Sequence, residues 1–162
     1  MGDPLLLQNY KIVQGTRPGT TMNTATTGDW INAKYAHMVY AIIDVARPDA
    51  KAIRAEAYSA ENSAAGGVTA ITTGIYWYKN DGCTYDRLTA ATSSYSSHTD
   101  ASSTGLFQLV AALDPAVLPS SRPWVSFAVR NSSQATDFCH ITYLLESRYK
   151  GYQQFLATTS ST

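Results

Sequence analysis

The chain has 162 residues, in which twelve basic and twelve acidic side chains cancel to a net charge of zero. Only 15% of the residues are charged, against roughly 25% in average soluble domains. This balance argues against nucleic acid as the main partner, because phosphate binding needs a basic excess. The length predicts a single domain, residues 1–162, with a core of its own. We expect no signal peptide and no contact with a membrane, because the apolar stretch Leu5 to Leu7 is too short to span one.

The N-terminal third combines a strand, a polar segment and an apolar run. Residues 9–15 predict a short strand, and the Thr-rich segment 16–27 is interpreted as an extended arm that reaches towards a partner. Residues 28–37 then lead into the run 38–45, which is apolar on both faces. Such a run is typical of a central strand that is covered on both sides, or of one whose second face meets a partner.

The middle of the chain is less regular. Residues 49–65 favour a helix by propensity, yet their alternation favours a strand through about Tyr58. Residues 76–78 predict the end of another strand, before a turn at 79–82. The Ser- and Thr-rich region 92–105 predicts an exposed loop or edge, so His98 is expected to be solvated.

The C-terminal half shows the clearest alternation. A strand is predicted over 106–113, followed by one helical turn, with Asp114 as its N-cap and Pro115 at its first position. The runs 124–130 and 138–146 also alternate and are interpreted as a β-hairpin. Within the second run Cys139 is predicted to be a buried thiol.

Together these elements predict an all-β, jelly-roll-like antiparallel sandwich of about eight strands, with an extended N-terminal arm at 16–27. Residues 157–162 are expected to form a flexible tail. Two distant cysteines, Cys83 and Cys139, do not make a disulfide scaffold, which fits a reducing cytoplasm before assembly.

Motifs that carry chemistry are absent from the sequence. There is no nucleophile elbow, phosphate-cradling glycine loop, Cys-x-x-Cys pair or His-Glu-x-x-His helix. His37, His98 and His140 are scattered without metal-ligand spacing. We therefore expect no catalytic residue, no cofactor and no metal, although a Ser-His-Asp triad can assemble from distant residues.

Aromatic residues supply the candidates for protein contact. The chain has 11 Tyr and 3 Trp against 4 Phe, a bias that suits half-buried interfaces and is also common in strands. Residues 76–78 are a candidate sugar platform, with packing in the core as the alternative. Residues 148–155 are either a docking segment or a final strand across the sheet. The candidate protein-contact residues are Tyr10, Arg17, Trp30, Tyr76, Trp77, Tyr149, Tyr152 and Phe155.

The order of several segments resembles a family of small tailed-phage virion proteins, the capsid cement or decoration proteins. The likeness is carried by residues 9–15, 28–37, 113–115, 143–145 and 148–151. It implies a jelly-roll-like domain that binds the major capsid protein on the outer capsid surface of the virion and stabilises the contacts between its subunits. It also implies self-association, as a dimer first and a trimer second. The alternative is a receptor- or glycan-binding module of a phage fibre.

Overall fold

The computed structural model describes residues 9–22, 25–48, 52–82, 88–91, 96–100, 105–130 and 136–148. Within them the chain is almost entirely strand, and no helix is long and apolar enough to cross a membrane. The strands are β1 (Tyr10–Gln14), β2 (Thr20–Thr21), β3 (Thr26–Thr27), β4 (Ile31–Asn32), β5 (Ala36–Arg47), β6 (Ile53–Ala60), β7 (Thr69–Ala70), β8 (Ile75–Asp81), β9 (Thr89–Ala90), β10 (Ser97–Asp100), β11 (Gly105–Leu113), β12 (Trp124–Arg130) and β13 (Phe138–Ser147).

The strands form two antiparallel sheets. The large sheet has the order β1-β13-β5-β11-β8-β9, with β2 also paired to β13. The small sheet has the order β10-β6-β12-β3, with β4 paired to β12 and β7 to β6. The all-β sandwich predicted from the sequence is therefore confirmed.

The connectivity is that of a jelly roll. The short strands β3 and β4 both pair with β12 and together act as one interrupted strand. Once β2, β7, β8 and β9 are set aside, the described strands in chain order are β1, β3 with β4, β5, β6, β10, β11, β12 and β13. Counted from one to eight in this order, strands 1, 8, 3 and 6 form the large sheet, and strands 2, 7, 4 and 5 form the small sheet. This is the double-sheet arrangement of two Greek keys, and β8 with β9 extends the large sheet beyond β11.

The core lies between the sheets and follows from the alternation of the strands. On β5 the buried residues Val39, Ala41, Ile43 and Val45 alternate with partly exposed ones. β13 contributes a buried series that includes Cys139, as predicted. The apolar side chains in each series point towards the other sheet, so burying them holds the sandwich together.

Most predicted elements are confirmed. The ambiguous region after residue 49 becomes β6, a strand rather than a helix. Asp114 caps a 3-10 turn at Pro115–Val117 by accepting a hydrogen bond from the Ala116 N–H at 2.9 Å. The strand predicted to end at 76–78 instead continues as β8 through Asp81, so most of the predicted turn at 79–82 is strand. The tail 157–162 lies outside the described residues.

The hairpin predicted from 124–130 and 138–146 is wrong. β12 pairs with β3, β4 and β6 of the small sheet, whereas β13 pairs with β1, β2 and β5 of the large sheet. Both runs alternate in sequence, but they lie in opposite sheets, where Phe127 of β12 and Tyr143 of β13 meet across the core with their ring centres 6.1 Å apart. Alternation shows that a residue run is a strand and does not show which strand is its neighbour.

The described residues of the segment 16–27 include a turn and two short strands, and they do not reach away from the domain. Thr20 and Thr21 pair with β13, and Thr26 and Thr27 pair with β12, so the segment crosses from one sheet to the other. Between them the Met22 N–H donates to the Asp137 carbonyl at 2.8 Å, and the Met22 side chain is fully buried. The interpretation of this segment as a free arm is therefore wrong, because its middle is part of the core.

Tyr143 links the sheets at the point where the chain crosses between them. Its buried hydroxyl accepts a hydrogen bond from the Phe127 N–H at 3.2 Å. A Cβ on Gly15 would stand 2.6 Å from the Tyr143 ring, and a Cβ on Gly28 would clash with its hydroxyl. Only glycine allows the backbone to pass so close on both sides of this ring.

The Met22→Ala variant tests whether the segment 16–27 belongs to the core. We expect a loss of about 2–5 kcal/mol in the free energy of unfolding, the range for a buried aliphatic side chain cut to alanine. Urea unfolding measures it, and Arg17→Ala, in the exposed turn of the same segment, is the control with a change within about 0.5 kcal/mol. Equal stability of the two variants would contradict the assignment of this segment to the core and favour its interpretation as a free arm.

Stability is expected to fall in alkali because of two buried acids. Burial raises the pKa of Tyr143 from 10.0 to about 12 and that of the Cys139 thiol from 9.0 to about 11. Both groups favour folding while they stay neutral. Their contribution is complete below pH 9 and is lost as the pH rises towards 11 to 12, because the unfolded chain ionises first.

Urea midpoints measured from pH 8 to pH 12 check this expectation. The Tyr143→Phe variant should be less stable at pH 8, since the Phe127 N–H loses its acceptor, at a cost of about 1–3 kcal/mol. It should also lose less stability than the natural chain between pH 10 and 12. Parallel pH profiles for the two proteins would contradict the assignment.

Candidate functional site

The large sheet presents an apolar surface on the side away from the core. We call this surface the outer face; it is formed by every second residue of neighbouring strands, in register. Its central rows set Thr142 beside Ile42 and Val110, and Leu144 beside Tyr40. The apolar and aromatic members are Tyr10, Ile12, Met38, Tyr40, Ile42, Ala46, Tyr76, Tyr78, Leu106, Val110, Ala112, Phe138 and Leu144.

Several of the outer-face side chains are large and exposed. Ile12 and Leu106 are each 59% exposed, Tyr76 is 53% exposed and Phe138 is 39% exposed. Among the described residues, no strand or helix packs over this surface. A contiguous exposed apolar area of this kind is a candidate contact surface.

Tyrosines are spread across the outer face, with Tyr40 on the strand β5 near its middle. Tyr40 lies among Tyr10, Tyr78 and Glu146, and its pKa is raised by partial burial and by the negative charge of Glu146. The Tyr40 phenol therefore stays neutral at physiological pH. Neutral phenols on a rigid sheet give large contact area with a hydrogen-bonding tip, as in protein interfaces.

The outer face carries little charge. Asp44 and Glu146 are its acidic residues, and Asp44 accepts a hydrogen bond from the Gln108 side chain at 2.8 Å. None of the described strand positions on this face holds lysine or arginine. Phosphate-rich partners, both nucleic acid and anionic lipid, are therefore poorly matched to it.

The small sheet shows the contrast. On its outer side the Glu56 carboxylate pairs with the Arg54 and Arg130 guanidinium groups, each at 2.8 Å. Tyr58 donates a hydrogen bond to Glu56, and Arg130 lies 5.3 Å from the centre of the Tyr58 ring. The outer side of the small sheet thus carries a cluster of ion pairs, whereas the outer face of the large sheet is mainly apolar.

A groove lies at one end of the outer face. Its volume is about 300 Å³, and it opens between Leu106 and Phe138 over a floor that includes Val45 and Ala46. His140 and Asp44, which are directly opposite one another in the sheet, form its polar edge. The groove continues the outer face and offers a pocket for an apolar side chain of a partner.

A second charged cluster lies inside the sandwich. The Asp100 carboxylate on β10 is 2.9 Å from the Arg47 guanidinium and also pairs with the Lys79 ammonium, both from the large sheet. Arg47 and Lys79 stand 5.4 and 5.0 Å from the centre of the Phe107 ring. The cluster joins one sheet to the other, and its charges are engaged with each other, so its role is structural.

No group of three or more metal-ligating side chains converges among the described residues. His98, expected to be solvated, is only 7% exposed, with its ring centre 6.3 Å from that of Trp77. That prediction is wrong because residues 97–100 pair with β6 and are drawn into the sandwich. His140 lies on the outer face, and His37 is exposed.

The structure separates the predicted contact residues. Tyr10 and Tyr76 lie on the outer face, near its opposite edges. Arg17 is exposed in a turn, and Trp30 is partly buried before β4. Trp77 is 4% exposed and packs edge-on to Phe127, so the core-packing alternative is confirmed for it. Tyr149, Tyr152 and Phe155 lie outside the described residues.

Other members of the outer face were not among the predicted contact residues. The signal was nevertheless in the sequence, since residues 38–45 are apolar on both faces. Phe138 and Leu144 likewise alternate with the buried residues of the last strand. Only the pairing of β13 with β5 joins these two series into one surface.

Comparisons with known proteins leave the family open. No protein-family model matches the chain, and no curated protein sequence matches it. Among solved structures it is similar to the SPBc2 prophage-derived protein YomS, with 11% identity, a TM-score of 0.45, and coverage of 86% of this chain and 94% of that one. A Desmodium yellow mottle tymovirus chain shows 8% identity and a TM-score of 0.17, over 100% of this chain and 94% of that one. Likeness of this extent carries no argument about function.

Asp100 tests the structural role of the internal cluster. Asp100→Ala removes the carboxylate that Arg47 and Lys79 share, and we expect a loss of about 3–5 kcal/mol in the free energy of unfolding. The control is Glu61→Gln, which removes the exposed ion pair between the Glu61 carboxylate and the Arg122 guanidinium, 3.9 Å apart. It should lower the free energy of unfolding by no more than about 1 kcal/mol. Urea unfolding measures both. Equal effects would show that the cluster contributes no more than a surface pair.

Proposed function

We propose that this protein is a structural component of a phage virion that binds the outside of the capsid and stabilises contacts between major capsid protein subunits. The outer face of the large sheet is the observation that supports the proposal. It is broad, apolar and aromatic, whereas the small sheet bears ion pairs on its outer side. In this proposal the protein works by binding and not by catalysis, and it reaches the capsid from the host cytoplasm.

The rigidity of the surface supports a binding role. Tyr40, Ile42 and Val110 project from the middle of a sheet whose strands are paired on both sides. Their backbone is already ordered, so docking costs little conformational entropy. A pre-ordered aromatic surface of this kind gives more affinity for the same buried area than a loop does.

The choice of a capsid as partner comes from the sequence resemblance. Residues 9–15 form the edge strand β1, and residues 143–145 lie in its neighbour β13. The segments that resemble cement proteins thus include one edge of the outer face. The near absence of charge on this face is suited to a protein surface and poorly suited to nucleic acid or an anionic membrane.

A cement protein stabilises its shell by mass action. A protein that binds the mature shell and not the opened one shifts the equilibrium towards the mature shell, by an amount set by its concentration and affinity. Many copies that each add a few kcal/mol resist internal pressure together. No residue with shifted acidity is needed for this action.

Glycan binding is the competing function. A sugar site needs hydrogen-bonding side chains beside an exposed ring. Tyr76 is exposed, but its cross-strand neighbour on the outer face is Ala112, followed by Tyr40 and Leu144. Trp77, the strongest part of the predicted platform, is in the core. These surroundings favour a protein partner.

Co-sedimentation with emptied mature capsids tests the proposal. The natural chain should pellet with the shells and raise their melting temperature. Tyr76→Lys should weaken binding about 30-fold or more, the effect of losing a contact worth 2 kcal/mol. Val68→Lys is the matched control and should bind normally, because Val68 is exposed to a similar extent (47%) but lies in a loop next to the small sheet.

Three outcomes would contradict the proposal. The natural chain would fail to pellet with capsids, or it would pellet without protecting them from heat, or both lysine variants would bind alike. Binding to a glycan array by the isolated domain, lost in Tyr76→Lys, would favour the fibre module instead.

A further inference from the structure

Strand β1 forms one edge of the large sheet and pairs on one side with β13. The Gly15 N–H donates to the Ile141 carbonyl at 2.7 Å at the end of this ladder. Hydrogen-bonded and non-hydrogen-bonded residues alternate along an antiparallel pair. Lys11 and Val13 therefore bond to β13, while Tyr10, Ile12 and Gln14 turn their backbone N–H and C=O groups away from it.

Within the described residues, β1 carries little of the usual protection of an edge strand. Edge strands are commonly blocked by proline, by a bulge or by charged side chains, lysine above all. The five residues of β1 include no proline, and Lys11 is their one charge. Ile12, at the centre, is 59% exposed. Within the described part of the chain, no strand pairs with this side of β1.

We propose that β1 pairs antiparallel with β1 of a second copy, forming a two-fold symmetric dimer through Ile12. In this register Ile12 faces Ile12 of the second copy, and Tyr10 faces Gln14 of the second copy in both directions. Every outward backbone group of the three residues finds a partner. Lys11 faces Val13 of the second copy, so no like charges stand directly opposite.

The strand is suited to its own copy because it is self-complementary. Pairing centred on Ile12 satisfies the outward donors and acceptors in equal number, as an isologous interface requires. The two-fold axis stands perpendicular to the sheet, so both outer faces turn to the same side. The dimer would join them into one apolar surface and double the number of contacts that a single complex makes with its partner.

A disulfide cross-link tests the register directly. Residues in a hydrogen-bonded antiparallel pair have Cα atoms about 5.5 Å apart, inside the range of about 4.4–6.8 Å that a disulfide allows. In a Cys83→Ser background of the full chain, Ile12→Cys should form a cross-linked dimer on mild oxidation. Tyr76→Cys, also exposed but at the far side of the outer face, is the matched control and should remain uncrosslinked.

Sedimentation equilibrium tests the same contact without a cross-link. The natural chain should show a monomer–dimer equilibrium at concentrations up to about 100 µM, as expected of a small interface. Ile12→Lys sets two like charges opposite each other and should be monomeric. Its urea unfolding should match that of the natural chain, because the side chain is exposed.

Three results would overturn the inference: a monomeric natural chain, a dimer that survives Ile12→Lys, or equal cross-linking of the two cysteine variants. These measurements contain no capsid, so they stand apart from the proposed function. A natural chain that dimerises but does not bind capsids would contradict the proposed function and leave the dimer supported. A natural chain that stays monomeric but binds capsids would contradict the dimer and leave the proposed function supported.

Discussion

The contact of Tyr143 with the two glycines that flank it sets the geometry on which the rest of the structure depends. The ring fills the core beside the point where the chain passes from the large to the small sheet, and its hydroxyl accepts a hydrogen bond from Phe127 on the opposite sheet. Gly15 and Gly28 can approach it because they have no Cβ. β13 is thereby held with one side in the core, and strand alternation then leaves its other residues on the outer face.

The outer face is thus a consequence of the core. Since successive residues on a strand point to opposite sides, fixing Ile43 inside places Ile42 and Asp44 outside. On the small sheet the same rule places Arg54 and Glu56 on the outer side, where they pair with each other. On the large sheet it exposes apolar side chains, at a cost in solvation that a contact surface recovers when it binds. The asymmetry between the sheets, more than any single residue, supports a role in protein association.

Strands and local caps were predictable because the signals that define them are local. The alternation over 106–113, the cap at Asp114 and the buried thiol of Cys139 are all present as predicted. The prediction for His98 failed because a Ser-rich sequence resembles a loop until a neighbouring strand pairs with it. Choosing contact residues by their aromatic character was also misleading. Trp77 is buried, while the aliphatic Ile12 and Leu106 are among the most exposed side chains of the outer face.

The sequence by itself determined the all-β class, the main strands and which residues share a side of each strand, because a period of two is written into consecutive residues. It did not determine the partner of each strand. The alternation of the runs 124–130 and 138–146 is as compatible with a hairpin as with strands in different sheets. Only the tertiary structure places them in opposite sheets. Segment 16–27 likewise has the composition of a free arm, and only the crossing between sheets buries Met22. Pairing depends on contacts between residues far apart in the chain, and these form only when the whole core packs together.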